Sequence, residues 1–307
     1  MLRRQALPDV GEIHAFSSRP RAYYYVSGHF MRVLPVILLS LAILPALAEE
    51  PTVDQIMARV AENQARAQDM RRAYVYNQKV LARFHRTNGK LVREEKLEYL
   101  VTPTPAGVEK KLTHFEGKCE RGGKFITYDE PGKEIKDLDI DGDLIRDMVK
   151  DMTADKDTKD GLAHDMFPLT AKEQAKYIFT LEGKEVYRGR QIYRVSFRPK
   201  PHEEDANWNG EALIDAAECQ PVMVTTKFAT HIPMAVKVLL GTDIKGLGFS
   251  VSYEKFDDGL WFPVSYGGEF HIRAVFFYAR NMSISMVNSG FTRAKVSSKI
   301  AYDMSEK

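Results

Sequence analysis

The residues best suited to chemistry lie close together at Asp137, Asp139, Asp141, Gly142 and Asp143. Alternating carboxylates followed by a glycine match the opening of a calcium loop, where hard oxygen ligands surround the ion and the glycine permits a sharp turn. Position twelve of such a loop needs a bidentate Glu; counted from Asp137 it is Met148, and Asp147 falls one residue early. The same run fits an acidic turn capping the helical period of Leu144, Ile145, Met148, Val149 and Met152, because carboxylates are favoured at a helix N-terminus. Calcium held by Asp137, Asp139, Asp141 and Asp143 is thus the one cofactor the sequence raises. His114, His164, His202, His231 and His271 are dispersed, with no pair at metal-ligand spacing. There is no Gly-x-Ser-x-Gly elbow, and the glycines of 241–248 precede a strand rather than a helix, which disfavours a phosphate cradle. Cys119 and Cys219 lack the surroundings of a nucleophile. They fit either a single bridge or two separate buried thiols. Nothing in this inventory asks for an enzyme.

The elements around these residues are mostly strands. From Gly246 to Ile300 the chain alternates: Leu247, Phe249, Val251 and Tyr253 oppose Ser250, Ser252 and Glu254. After the turn at Asp257-Asp258-Gly259, Phe270, Ile272, Ala274, Phe276 and Tyr278 read as one run, and Met282, Ile284 and Met286 follow. Period-two patterning of this kind predicts antiparallel strands with one apolar face. Earlier strands are expected from Tyr74, across an Asn88-Gly89 two-residue hairpin to Leu91–Val101, then at Gly107–Phe115 and Lys124–Tyr128. Further strands are expected at Tyr177–Leu181, ending in a polar turn region over Glu182–Gly189, then at Tyr193–Phe197, Trp208–Ile214 and Val222–Phe228. His231–Gly241 reads as an apolar loop or helix at the sheet mouth. A helix is predicted over Pro51–Met70, with a stripe of Val53, Ile56, Met57, Val60 and Gln64, capped by Thr52 with Gln55 three residues on.

The chain has 307 residues, 44% hydrophobic and 28% charged, with net charge +2. That balance is globular and leaves no nucleic-acid footprint. Met31-Arg32, the apolar run Val33–Leu44 and the Ala46-x-Ala48 end follow the three-part plan of a secretory signal. The apolar span is short for a membrane crossing. The sequence therefore divides into 1–48, an upstream extension and signal, and 49–307, a single secreted domain that starts near Glu49.

Leu181-Glu182-Gly183-Lys184 leading to Gly189–Val195, then Trp208–Asp215, Cys219-Gln220-Pro221-Val222 and Asp258–Pro263, resemble the periplasmic outer-membrane lipoprotein-sorting proteins of the LolA-like superfamily. The resemblance implies an α+β fold: a single curved antiparallel sheet, an incomplete β-barrel, with an N-terminal helix and inserted helices covering its concave face. It also implies non-catalytic binding or transport of lipid or lipoprotein acyl chains in the periplasm, as a monomer, with an envelope protein as a further partner. The acidic insertion at Asp137–Asp160 is not expected of that family. On the apolar sheet face the candidate ligand-binding residues are Phe249, Val251, Tyr253, Phe270, Ile272 and Phe276. The rival reading is an envelope structural or interaction module whose core is filled by its own side chains.

Overall fold

The computed structural model describes residues 50–104, 107–135, 139–154, 167–203, 206, 208–228, 242–245, 248–256, 258–274 and 278–294, all within a compact unit of Glu49–Lys307. The signal reading of 31–48 and the sheet-mouth segment His231–Gly241 lie outside the described residues.

The first helix among the described residues is α1 (Val53–Arg71). Its start is fixed by a reciprocal cap: the Gln55 backbone N–H donates to Thr52 Oγ1 at 3.3 Å, and the Thr52 N–H donates to Gln55 Oε1 at 3.0 Å. Among the described residues two further helices follow, α2 (Ile140–Ala154) and the single turn α3 (Ala171–Gln174), the latter capped by Thr170, and the other regular elements are strands. The strands are β1 (Tyr74–His85), β2 (Leu91–Thr104), β3 (Gly107–Arg121), β4 (Lys124–Tyr128), β5 (Tyr177–Tyr187), β6 (Arg190–Pro199), β7 (Trp208–Asp215), β8 (Pro221–Phe228), β9 (Thr242–Lys245), β10 (Gly248–Lys255), β11 (Trp261–Ala274) and β12 (Tyr278–Arg293). They form one antiparallel sheet in the order β4-β3-β2-β1-β12-β11-β10-β8-β7-β6-β5, with β9 alongside the far end of β11. Two meanders are thus joined where the last strand pairs with the first. Among the described residues the strand order ends at β4 and β5, which do not pair with each other, so the sheet does not close into a barrel.

Period-two alternation decides which face is buried. On β1, Tyr76, Gln78, Val80, Ala82 and Phe84 are buried while Asn77, Lys79 and Arg83 face solvent. Register carries the buried face across the sheet, from Leu97 through Val80, Met286, Tyr266, Val251, Val224 and Ala212 to Val195. The opposite, convex face of β1–β3 carries cross-strand ion pairs, Lys79–Glu98, Arg83–Glu94–Lys118 and Lys96–Glu116, which keep it wetted.

Curvature comes from glycines and bulges on strands. A Cβ on Gly210 would stand 2.2 Å from the Thr225 carbonyl and 2.4 Å from the Phe197 ring, and one on Gly268 would stand 2.5 Å from the Gly248 carbonyl and 2.7 Å from the Phe249 ring. Aromatic rings lie over bare backbone at both places, drawing neighbouring strands inward. Register shifts at Phe84/His85, Glu98/Tyr99, Leu181/Gly183 and Ser252/Tyr253 add local bends.

Several local readings change. Asn88-Gly89 is not a two-residue hairpin. The Gly89 N–H donates to the Arg86 carbonyl and only Gly89 has positive φ (83°), which makes a three-residue loop closed by Arg86 and Lys90. β5 runs on through Glu182 to Tyr187, and the turn is Arg188-Gly189, both at positive φ (49° and 79°). The run read as one strand from Phe270 to Tyr278 reverses: Ala274 pairs with Tyr278 across a hairpin. Cys119 and Cys219 are separate buried thiols.

Candidate functional site

Two helices cover the concave face, and each is held differently. α1 lies over the β5–β11 half, where Ile56, Met57 and Val60 join a cluster with Tyr193, Val195, Val224, Val251 and Trp261. Each such aliphatic side chain contributes roughly 1.5–3 kcal/mol by leaving water. Polar side chains lock the helix down. Asn63 Nδ2 donates to the Glu218 and Cys219 carbonyls at 2.7 and 3.0 Å, and buried Arg71 donates to the Trp261 carbonyl at 3.1 Å. The receiving turn is itself organised by Asp215, which accepts the Ala217 and Glu218 N–H groups, and by Glu218, which accepts from Trp261 Nε1 and Lys255. The segments Trp208–Asp215, Cys219–Val222 and Asp258–Pro263 therefore include the socket for α1.

α2 lies over the other half, with Ile145 fully buried against Ala82, Phe84, Val92 and Met282, and Val149 packed further along. Its N-terminal end carries the acidic run, and two of those carboxylates are taken up by arginines of the sheet. Arg93 of β2 is 1% exposed and donates from Nη1 to Asp139 Oδ2 at 2.9 Å, from Nε to Glu95 Oε1 at 2.9 Å and from Nη2 to the Lys133 carbonyl at 2.7 Å. Glu95 is fully buried and also accepts the Tyr128 hydroxyl and the Gly132 N–H. Burial alone would lower the Arg93 pKa, but the Glu95 and Asp139 charges and the hydrogen bond to Glu95 outweigh it and hold the guanidinium above its ordinary value. Burial, with the neighbouring Glu95 charge, pushes the Tyr128 phenol well up, so it stays a neutral donor. Asp141 accepts from Tyr278 at 2.7 Å and from Arg280 Nε at 3.0 Å. Asp143 is exposed and pairs with Arg146 within the helix. Asp137 lies outside the described residues. No three His, Cys, Asp or Glu side chains among the described residues converge as a metal site.

Between the helices the concave face carries described residues that are less buried than those under α1 or α2. Phe249, Tyr266, Phe270 and Ile284 sit in the middle of the sheet yet are only half-buried. The three aromatic rings, with those of Trp208 and Phe167, form a connected seam: Trp208–Phe249 at 5.7 Å, Phe249–Tyr266 at 5.9 Å, Phe249–Phe270 at 6.4 Å and Phe167–Tyr266 at 5.7 Å between centroids. Of the residues expected from sequence to face a ligand, Phe249 and Phe270 lie in this seam. Val251 and Tyr253 are buried in the α1 cluster and Ile272 in the α2 cluster. Phe276 lies outside the described residues. Tyr266 and Trp208 were not singled out by alternation alone: Tyr266 sits beside Gly267-Gly268, where the apolar pattern is interrupted, and Trp208 begins its strand.

Among the described residues no helix is long and apolar enough to cross a membrane. No protein-family model matches the sequence, and no curated protein matches it. Solved structures similar to this chain include a domain named for outer membrane lipoprotein sorting from Vibrio parahaemolyticus, at 9% identity over 76% of this chain and 92% of that one, TM-score 0.35. They also include a DUF1329 family protein from Desulfovibrio piger, at 11% identity over 81% and 95%, TM-score 0.33. A LolA superfamily protein from Nitrosomonas europaea is similar at 10% identity over 80% and 96%, TM-score 0.33. No residue's role is transferred from these structures.

Proposed function

We propose that this chain binds acyl chains of lipids or lipoproteins without catalysis, on the seam of Phe249, Tyr266, Phe270 and Ile284, after export to the periplasm. The observation that carries the reading is the half-burial of that seam at mid-sheet, between two helices that bury the face on either side. An acyl chain laid there gains about 0.8 kcal/mol for each methylene removed from water. Aromatic and aliphatic side chains make up the seam among the described residues, which suits binding of an apolar chain. We further infer that Asp139 and Asp141 anchor α2 to Arg93 and Arg280, so their oxygens are engaged without calcium.

A self-filled envelope module is the rival reading, and the half under α1 favours it, since Val224, Val251 and Trp261 are buried there by the chain itself. Native mass spectrometry of protein purified without detergent separates the two. Acyl binding predicts discrete added masses of lipid size that methanol extraction removes. A bare protein mass that stays bare after incubation with phospholipid vesicles favours the filled module.

A further inference from the structure

One row along the strands from Leu97, Val80 and Met286 the concave face turns polar. Tyr99, Gln78 and Asn288 stand side by side on β2, β1 and β12, Gln78 being the cross-strand partner of both. Rows on one face are two residues apart, so this one lies about 7 Å beyond the last apolar row. Gln78 is fully buried, Tyr99 is 2% exposed and Asn288 is 7% exposed.

A backbone carbonyl at the end of the row fixes both amide orientations. The Pro263 oxygen can only accept, and Asn288 Nδ2 donates to it at 3.0 Å. That leaves Asn288 Oδ1 to accept from Gln78 Nε2, also at 3.0 Å. Gln78 Oε1 is therefore turned away from the network, and it has no hydrogen-bond partner among the described residues; neither has the Tyr99 hydroxyl. An acceptor and a donor of opposite sense are thus left unmade on neighbouring residues in the interior. Folded proteins seldom leave such groups unpaired, because each loses its water on burial and gains nothing in return.

We propose that Tyr99 and Gln78 form the head-group end of the acyl site. The Tyr99 O–H donates to, and Gln78 Oε1 accepts from, one neutral head group that carries both an acceptor and a donor, a hydroxyl or an amide. The attached chain runs back over Met286 and Ile284 to Tyr266 and the aromatic seam. The assignment rests on the acyl-binding reading above and adds the class of ligand. A carboxylate does not fit, because it only accepts and would face Gln78 Oε1 without a proton to share. The Glu95 charge acts on the same phenol: burial and that charge push Tyr99 up to about 12, which keeps it a neutral donor. Val149 of α2 packs on the cluster that contains Tyr99. The head group reaches the pair by displacing that turn, while the arginine clasps hold the other end of the helix.

The test is isothermal titration of delipidated protein with four sixteen-carbon probes: hexadecan-1-ol, hexadecanamide, methyl hexadecanoate and hexadecanoate. The proposal predicts that the alcohol or the amide binds about tenfold tighter than the methyl ester, the equivalent of about 1.4 kcal/mol. Preference for the alcohol points to a glycerol hydroxyl, and preference for the amide to an N-acyl group. Gln78→Met, which removes the acceptor, lets the preference fall towards one while the ester's affinity stays. Tyr99→Phe, which removes only the hydroxyl, weakens alcohol, amide and ester alike, because the ester carbonyl also accepts from it. Equal binding of alcohol, amide and ester to the wild type, a preference unchanged in Gln78→Met, or affinities unchanged in Tyr99→Phe overturns the proposal and assigns the two groups to a structural water. Failure of every probe to bind, the ester included, removes the acyl reading along with it.

Discussion

Replacing Arg93 with Met removes the cation that, among the described residues, faces both Glu95 and Asp139, while keeping much of the side-chain volume. The guanidinium is 1% exposed, donates to two carboxylates at 2.9 Å each and to the Lys133 carbonyl at 2.7 Å, and lies over the Tyr128 ring at 4.9 Å from its centroid. Without it, Glu95 keeps its Tyr128 and Gly132 donors and Asp139 keeps the Ile135 N–H, but neither has a counter-charge from this side chain. Breaking a buried pair by deleting one partner destabilises by about 3–5 kcal/mol. That is a large share of the roughly 5–15 kcal/mol that holds a domain together. Urea unfolding followed by tryptophan fluorescence reads the loss as a lower midpoint at unchanged slope. Asp139→Asn provides the second arm. If the clasp is real, this substitution destabilises the wild type more than it destabilises Arg93→Met, with a coupling of about 1 kcal/mol or more. A loss under about 1 kcal/mol for Arg93→Met, or additive losses in the pair, would refute the claim that the acidic run clasps the sheet.

Three further outcomes follow from the same geometry. Burial pushes the Glu94 carboxyl up, but its hydrogen bonds and charge contacts with Lys118 and Arg83 outweigh this and hold it below its ordinary value. Its contribution to stability is therefore full above about pH 4.3 and is lost as pH falls through the depressed value; Glu94→Gln should flatten the acid limb of the urea-midpoint profile. Gly210→Val forces a side chain into the Phe197 ring and the Thr225 carbonyl and should destabilise by about 1–3 kcal/mol, measured by thermal unfolding. Millimolar calcium should leave the melting midpoint within error of the chelator-treated protein, whereas a rise of several degrees would make the acidic run a cation site.

The sheet was legible because its strands are half-solvated, and one-sided burial writes itself as alternation. α1 was legible for a related reason: Thr52 and Gln55 are near neighbours and its stripe has a helical period. What escaped was whatever depends on partners distant in sequence. Val92, Arg93, Glu94 and Glu95 are four consecutive buried residues, a pattern that alternation reads as an interruption. Its cause is Asp139, forty-six residues on, together with the cross-strand cations around Glu94. The acidic run was visible as chemistry, but whether its carboxylates meet an ion or an arginine is decided by β2 and β12. Alternation along β1 puts polar Gln78 on an apolar face, and the reason for it was not legible, because the row of Tyr99, Asn288 and Pro263 exists only once four strands are side by side. Arg188-Gly189 carries a hairpin without the Asn-Gly signature, so β5 was read as ending early.

The acyl-binding reading meets its most direct test in tryptophan quenching by a bromine-labelled acyl chain. The chain has two tryptophans, Trp208 at the seam beside Phe249 and Trp261 buried under α1 with Arg190 over its ring. Binding at the seam predicts saturable quenching of the wild type that disappears in Trp208→Phe and persists in Trp261→Phe. Quenching that survives Trp208→Phe undiminished, or none at saturating lipid, would contradict it.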